Sequence, residues 1–196
     1  MRKIIFFLSL LLFSSCNITH YFLYSKDQMN GLDFSKGKWL LGDIEVNANV
    51  KDDLTDLALK DFSEYLGDRV KYSLYERSLL LPRQIPVNLS KSKILDLKKG
   101  TNFDYYVNIK CKNAKNDLSN FEFADHFYYK KQMSFAQVTL EVYDLNLGEI
   151  IYSQTSGGSI EDENSMTLKP TRKVIIGCYN KIINDIKKKS IKPIQK

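Results

Sequence analysis

The sequence predicts an α+β fold: a single domain with a mixed or antiparallel sheet of about four to five strands, helices packed on it, and a helix at the C-terminal end. Three observations predict it. Residues 103–113 and 134–145 alternate apolar and polar side chains at the period of a half-buried strand. Stretches opening near residues 52, 90 and 170 place apolar side chains at helical spacing. The two kinds of pattern interleave along the chain, and no internal repeat appears.

In chain order, KWLLGDIEVNANV reads as the first strand, with Leu40, Ile44 and Val46 on one face. A helix starts near Asp52. Asp52 or Asp53 can cap it, since a carboxylate accepts from the unpaired N–H groups of a first turn. Leu54, Leu57, Ala58, Phe62, Tyr65 and Leu66 form its apolar side, and Gly67 ends it. Residues 70–75 alternate weakly and read as a short strand. LLLPRQIPVNLS holds two prolines, which cannot donate to a ladder, and reads as an edge or loop.

Residues 90–99 form a short second helix with Ile94, Leu95 and Leu97 apolar, and Gly100 is a natural stop. FDYYVNIKCKN follows as a strand. Tyr105, Val107, Ile109 and Cys111 share one face; Tyr106, Asn108, Lys110 and Lys112 share the other. Residues 113–133 are irregular and aromatic. SFAQVTLEVYDL alternates again, with Ala136, Val138, Leu140 and Val142 inward, and EIIYSQTSGGSI returns after the turn DLNLGE. The last helix spans about 170–189, with Pro170 in its first turn and Val174, Ile175, Cys178, Ile182, Ile183 and Ile186 as its buried stripe. Lys187, Lys188 and Lys189 sit where the helix dipole favours cations.

Ahead of this domain, Arg2 and Lys3 precede an apolar run from Ile4 to Phe13. That is the plan of a secretory signal, and the run is too short to span a bilayer. Phe13-Ser14-Ser15-Cys16 resembles the lipobox of bacterial lipoproteins, with Phe13 where leucine is usual. The resemblance implies cleavage between Ser15 and Cys16 and acyl chains on Cys16, a firm membrane anchor because several chains are buried together. Asn17, rather than an aspartate, follows the cysteine, so the resemblance implies the outer membrane, facing the periplasm.

Export narrows the functions that composition allows. The chain has 196 residues, 43% of them hydrophobic, and a net charge of +6 that falls to +4 when Arg2 and Lys3 leave with the signal. A basic cytosolic protein suggests nucleic acid; an exported one points instead to anionic headgroups or an acidic partner. Cys111 and Cys178 remain in the body, in a compartment that permits disulfides, as a free pair or a bridge.

The order of elements carries a second resemblance. GTNFDYYVNIKCKN and VTLEVYDLNLGEIIYSQTSG are similar to matching stretches of a family of bacterial envelope lipoproteins. That family includes the curli-secretion lipoprotein, the outer-membrane activators of penicillin-binding proteins, and the amino-terminal domain of the Tol-system periplasmic protein. The hairpin carries the likeness most specifically: Asp144 starts the turn, Gly148 and Glu149 end it, and Tyr152 follows on the return strand. The resemblance implies the fold more than any single task.

Residues with catalytic chemistry are sparse. His20 lies four residues after the anchor, and His126 lies in the aromatic segment. A Cys111–His126 pair has the residue types of a thiol nucleophile and its base, but Cys111 falls on the inward strand face. No cluster has zinc-ligand spacing, and EDEN at 161–164 lacks the spaced oxygens of a calcium loop.

The expected organisation is therefore a signal peptide at 1–15, a lipidated tether at 16–38, the α+β domain at 39–189 and a basic tail at 190–196. The expected function is non-enzymatic: a binding, assembly or regulatory module, with no cofactor beyond the lipid on Cys16. Its partners are the membrane and another envelope protein, not nucleic acid, and a homo-oligomer is allowed. The alternatives are a small-molecule or glycan carrier and an envelope enzyme of unrecognised type. The candidate partner-binding residues are Phe121, Phe123, His126, Phe127, Tyr128 and Tyr129, because aromatic side chains carry much of the energy at interfaces.

Overall fold

A computed structural model describes residues 19–24, 31–115, 133–161 and 169–191. The elements run β1 (His20–Tyr24), β2 (Trp39–Leu41), α1 (Ala48–Leu66), β3 (Val70–Tyr72), α2 (Lys91–Thr101), β4 (Tyr105–Lys115), β5 (Met133–Asp144), β6 (Glu149–Glu161) and α3 (Lys169–Lys189). One six-stranded sheet takes the order β1-β6-β5-β4-β2-β3. β1, β6, β5 and β4 pair antiparallel, while β2 pairs parallel with both β4 and β3. The α+β class and the C-terminal helix agree with the sequence reading, with one or two more strands than expected.

The extra strand comes from the expected tether. His20–Tyr24 pairs along its whole length with residues 155–159 of β6. Side-chain contacts help hold it there. Gln154 Nε2 donates to the Tyr24 carbonyl at 3.0 Å, and Ser156 Oγ donates to the Phe22 carbonyl at 3.0 Å. The Tyr21 ring fills a socket over Gly158 and Gly177, where a β-carbon on Gly177 would lie 2.1 Å from the ring. Glycine inside a helix costs about 1 kcal/mol relative to alanine. Here it leaves the space the ring occupies. Leu32 and Phe34 are also buried, so the fold reaches well ahead of residue 39. It also takes in the start of the expected basic tail, since Leu32 N–H donates to Ser190 Oγ at 3.0 Å and Asp33 bridges to Ile191.

α1 and α3 cover one face of the sheet. The α3 stripe predicted from spacing is wholly buried, together with Tyr179, against Ala136, Val138, Leu140 and Val142 of β5. From α1, Val50, Leu54, Ala58, Phe62 and Leu66 join the same core. The helix begins at Ala48, earlier than expected, after Asn47. The first strand is shorter than expected. Gly42 lies so close to Tyr106 that a β-carbon would sit 2.0 Å from its hydroxyl oxygen, and residues 42–44 leave the ladder before Glu45 rejoins it opposite Lys110. The break puts Leu40 and Ile44 in different cores rather than on one face.

The second face is where the sequence reading fell short. Tyr106, Asn108, Gln137, Glu141 and Tyr143 point away from the main core, yet all are buried. Part of the cover is a second cluster of Leu40, Ile85, Leu89, Ile94, Leu97, Tyr106, Tyr143 and Leu145, contributed by α2 and the segment before it.

Asp104 ties three elements at the start of β4. Its carboxylate accepts from Lys38 N–H at 2.9 Å, Lys98 Nζ at 3.0 Å and Asn146 Nδ2 at 3.2 Å. The Lys38 amide, more than the charge of Lys98, holds its pKa below the ordinary carboxylate value. Asp104→Asn is expected to lower stability by about 1–2 kcal/mol at neutral pH, measured by urea unfolding. Because the native pKa is depressed, wild-type Asp104 contributes fully above the unfolded value near ~3.9 and loses that contribution as pH falls through the native value. The gap between wild type and variant therefore closes on acidification. A gap that stays constant to the acid limit contradicts the assigned clamp.

Candidate binding surface

Between Ser73 and Ser90 the chain forms no helix or strand. Pro82 and Pro86 remove two backbone donors, and Ser78 and Asn88 take left-handed conformations at φ +71° and +57°. The segment is nonetheless fixed to the domain. Ser73 N–H donates to the Leu41 carbonyl at 2.9 Å and Leu80 N–H to the Gly100 carbonyl at 2.9 Å. Asn108 Nδ2 donates to the carbonyls of Ile85 at 3.3 Å and Pro86 at 3.2 Å.

The fourth strap is Glu141, a carboxylate only 1% exposed. It accepts from Asn88 N–H at 3.0 Å, from Ser153 Oγ at 3.3 Å, and from the Tyr143 hydroxyl in a close contact. A buried charge requires such partners, since without them its desolvation is strongly unfavourable. Burial, then the bond to Glu141, pushes the Tyr143 hydroxyl far up, so it stays protonated as the donor.

These straps hold a ridge. Its underside, Ile85 and Leu89, is buried, while Leu74, Tyr75 and Leu80 are 60%, 74% and 79% exposed. A hollow lies on either side. The first, about 540 Å³, opens beyond the ends of β2 and β3 and has Tyr106 and Asn108 among its lining residues. Its charges are largely paired across it: Lys51 with Asp43 at 2.7 Å and Lys110 with Glu45 at 2.5 Å. Leu74, Leu79 and Leu81 supply an apolar part of its wall. The second, about 370 Å³, lies between the ridge and α2 and is mainly apolar, with Leu80, Ile85, Leu89 and Leu97 in its wall and Lys93 and Asp96 also lining it. Apolar side chains held rigid above two grooves make a surface suited to a partner's anchoring residues.

The residues singled out from sequence fare differently. Cys16, Ser15, Phe121, Phe123, His126, Phe127, Tyr128 and Tyr129 lie outside the described residues. Cys111 and Cys178 are described, and they are free thiols, not a disulfide. Burial raises both, Cys178 to about 12, and Cys178 Sγ donates to the Ala136 carbonyl at 3.7 Å. A nucleophile works as a thiolate, so this environment suppresses such a role. In sequence the ridge reads only as an edge or loop. The signal that marks it is Leu79, Leu80 and Leu81 in succession beside a proline, a run with neither helical nor strand period. Among the described residues no group of three or more His, Cys, Asp or Glu could hold a metal ion, and no helix is long and apolar enough to cross a membrane.

No protein-family model and no curated protein matches the chain. Solved structures do resemble it. PelC, a dodecamer from Paraburkholderia phytofirmans, is 13% identical, with 89% of this chain and 100% of that one covered and a TM-score of 0.48. Lipoprotein GNA1162 from Neisseria meningitidis is 12% identical over 76% of this chain and 99% of that one, with a TM-score of 0.43. The LpoB C-terminal domain from Salmonella enterica is 14% identical over 70% and 88%, with a TM-score of 0.32.

Two outcomes test the geometry. Glu141→Ala strands the Asn88 amide and the Tyr143 hydroxyl, and is expected to cost about 2–4 kcal/mol in denaturant unfolding. Amide exchange at residues 85–89 should rise with it, and unchanged protection there would show that Glu141 is no strap. For the thiols, alkylation at pH 8 should modify Cys178 only after unfolding. Rapid labelling of Cys178 in the native protein contradicts its placement.

Proposed function

We propose that this chain is a lipid-anchored module of the bacterial envelope, held through Cys16 at the periplasmic face of the outer membrane. Its task is to bind another envelope protein rather than to catalyse a reaction. The observation that carries the reading is the ridge, where Leu74, Tyr75 and Leu80 stand exposed on a segment strapped to the sheet. Lone exposed apolar residues are ordinary, but three on one strapped segment between two grooves support this reading. The lipobox-like Phe13-Ser14-Ser15-Cys16 supports the location. Confinement to the membrane raises the effective concentration of a partner confined there too.

The first hollow supports a second reading, a small-molecule or glycan carrier. Its volume of about 540 Å³ falls within the range of ligand sites.

Photo-crosslinking in cells tests the binding reading. A benzophenone side chain at position 75 or 80 is expected to give a discrete protein adduct that Leu80→Asp diminishes at position 75. The same probe at Lys60, exposed on α1, should give none. Equal adducts from position 60, or none from 75 and 80, overturn the ridge as the contact. Separately, Cys16→Ala should abolish palmitate labelling and leave the precursor uncleaved; a processed, soluble product would remove the anchor.

A further inference from the structure

We infer that the domain sits directly against the bilayer, with the end of the sheet that carries His20 facing the headgroups, rather than standing off on a tether. This rests on the lipid anchor proposed above and adds to it an orientation and a membrane-contacting surface.

The argument is one of chain length. Cys16 and His20 are four residue steps apart, and His20 is the first residue of a strand paired through to Tyr24. An extended chain spans at most about 3.6 Å per residue, so β1 begins within roughly 15 Å of the lipidated cysteine. The headgroup layer of one leaflet is itself about 5–8 Å thick. Little slack is left between fold and membrane.

β1 cannot be peeled away cheaply to lengthen the leash. Five residue pairs join it to β6, and the Tyr21 ring lies between Gly158 of the sheet and Gly177 of α3. The Tyr21 hydroxyl also donates to the Lys173 carbonyl at 3.3 Å, which fixes the first turns of α3 beside the strand. The same contact places the exposed Arg172 and Lys173 beside β1. Arg172 is paired with Asp53 at 2.7 Å, while Lys173 has no ion pair among the described residues and is available to anionic headgroups. The opposite end of the sheet is the β5–β6 turn, where Leu147 is exposed. Along β6, Glu149 is ten residues from Ser159, the partner of His20, a separation of roughly 33 Å.

The test uses full-length, lipidated protein in liposomes of phosphatidylethanolamine and phosphatidylglycerol that carry a headgroup energy acceptor. A donor is attached through an encoded azide side chain at Lys173 or Lys112 near the anchor, and at Leu147 or Lys99 at the far end; two sites per end guard against one poorly folding variant. Transfer from the near sites is expected to exceed that from the far sites by at least about threefold. Inserting twenty Gly/Ser residues between Thr19 and His20, a linker of roughly 25 Å root-mean-square length, should lower the near-site transfer. Near and far sites that transfer equally on protein that floats with the liposomes, or transfer unchanged by the linker, overturn this inference while leaving the anchor intact. Protein that fails to float overturns the anchor and this inference together.

Discussion

Both faces of the β4–β5–β6 ladder are covered over much of its length, and the rest of the structure follows from that constraint. On the α1–α3 side the ladder presents Val107, Ile109, Ala136, Val138, Leu140 and Val142, which need only be covered. Elsewhere it carries polar side chains that burial obliges to find partners, because a buried donor or acceptor left alone costs more than a bond contributes. Asn108 and Glu141 bond to the backbone of residues 85–88, and Gln154 and Ser156 bond to the backbone of β1. The polar residues of the sheet thus become the straps for the two segments with least structure of their own.

Those two segments give the molecule two distinct ends and sides. The strapped ridge displays apolar side chains without being free to collapse onto the core, since its backbone positions are held from below. The strapped β1 begins four residue steps after Cys16, the proposed anchor. The proposed partner surface and the proposed limit on distance to the bilayer both depend on segments that are held in place. In each case side-chain hydrogen bonds from the same sheet add to apolar packing: Tyr21 over Gly158 and Gly177, and Ile85 and Leu89 in the second cluster.

The two thiols follow the same logic of burial. Cys178 lies in the α3 stripe and Cys111 at the margin of the main core, where desolvation raises both. In sequence they are a plausible disulfide or half of a catalytic pair, because residue type says nothing of solvation. In the fold they behave as small apolar side chains that fill space between α3 and the sheet.

The sequence by itself determined the fold class, the β5–β6 hairpin, the inward face of β4 and the whole buried stripe of α3. In each, one face is apolar at a strict period, and period is a local property. The proposed membrane address rests likewise on a local pattern around Cys16. The tertiary structure alone decided the rest. Whether Asn108 and Glu141 face water or a covering segment depends on what packs over them, so polar residues that read as a solvated face became buried straps. HYFLY reads as a tether because five residues show no sustained period, and it is a strand because Gly158 and Gly177, remote in sequence, leave room for Tyr21. The ridge was hidden for the same reason: aperiodic leucines acquire meaning only once the fold buries Ile85 and Leu89 beneath them and leaves Leu74, Tyr75 and Leu80 outside.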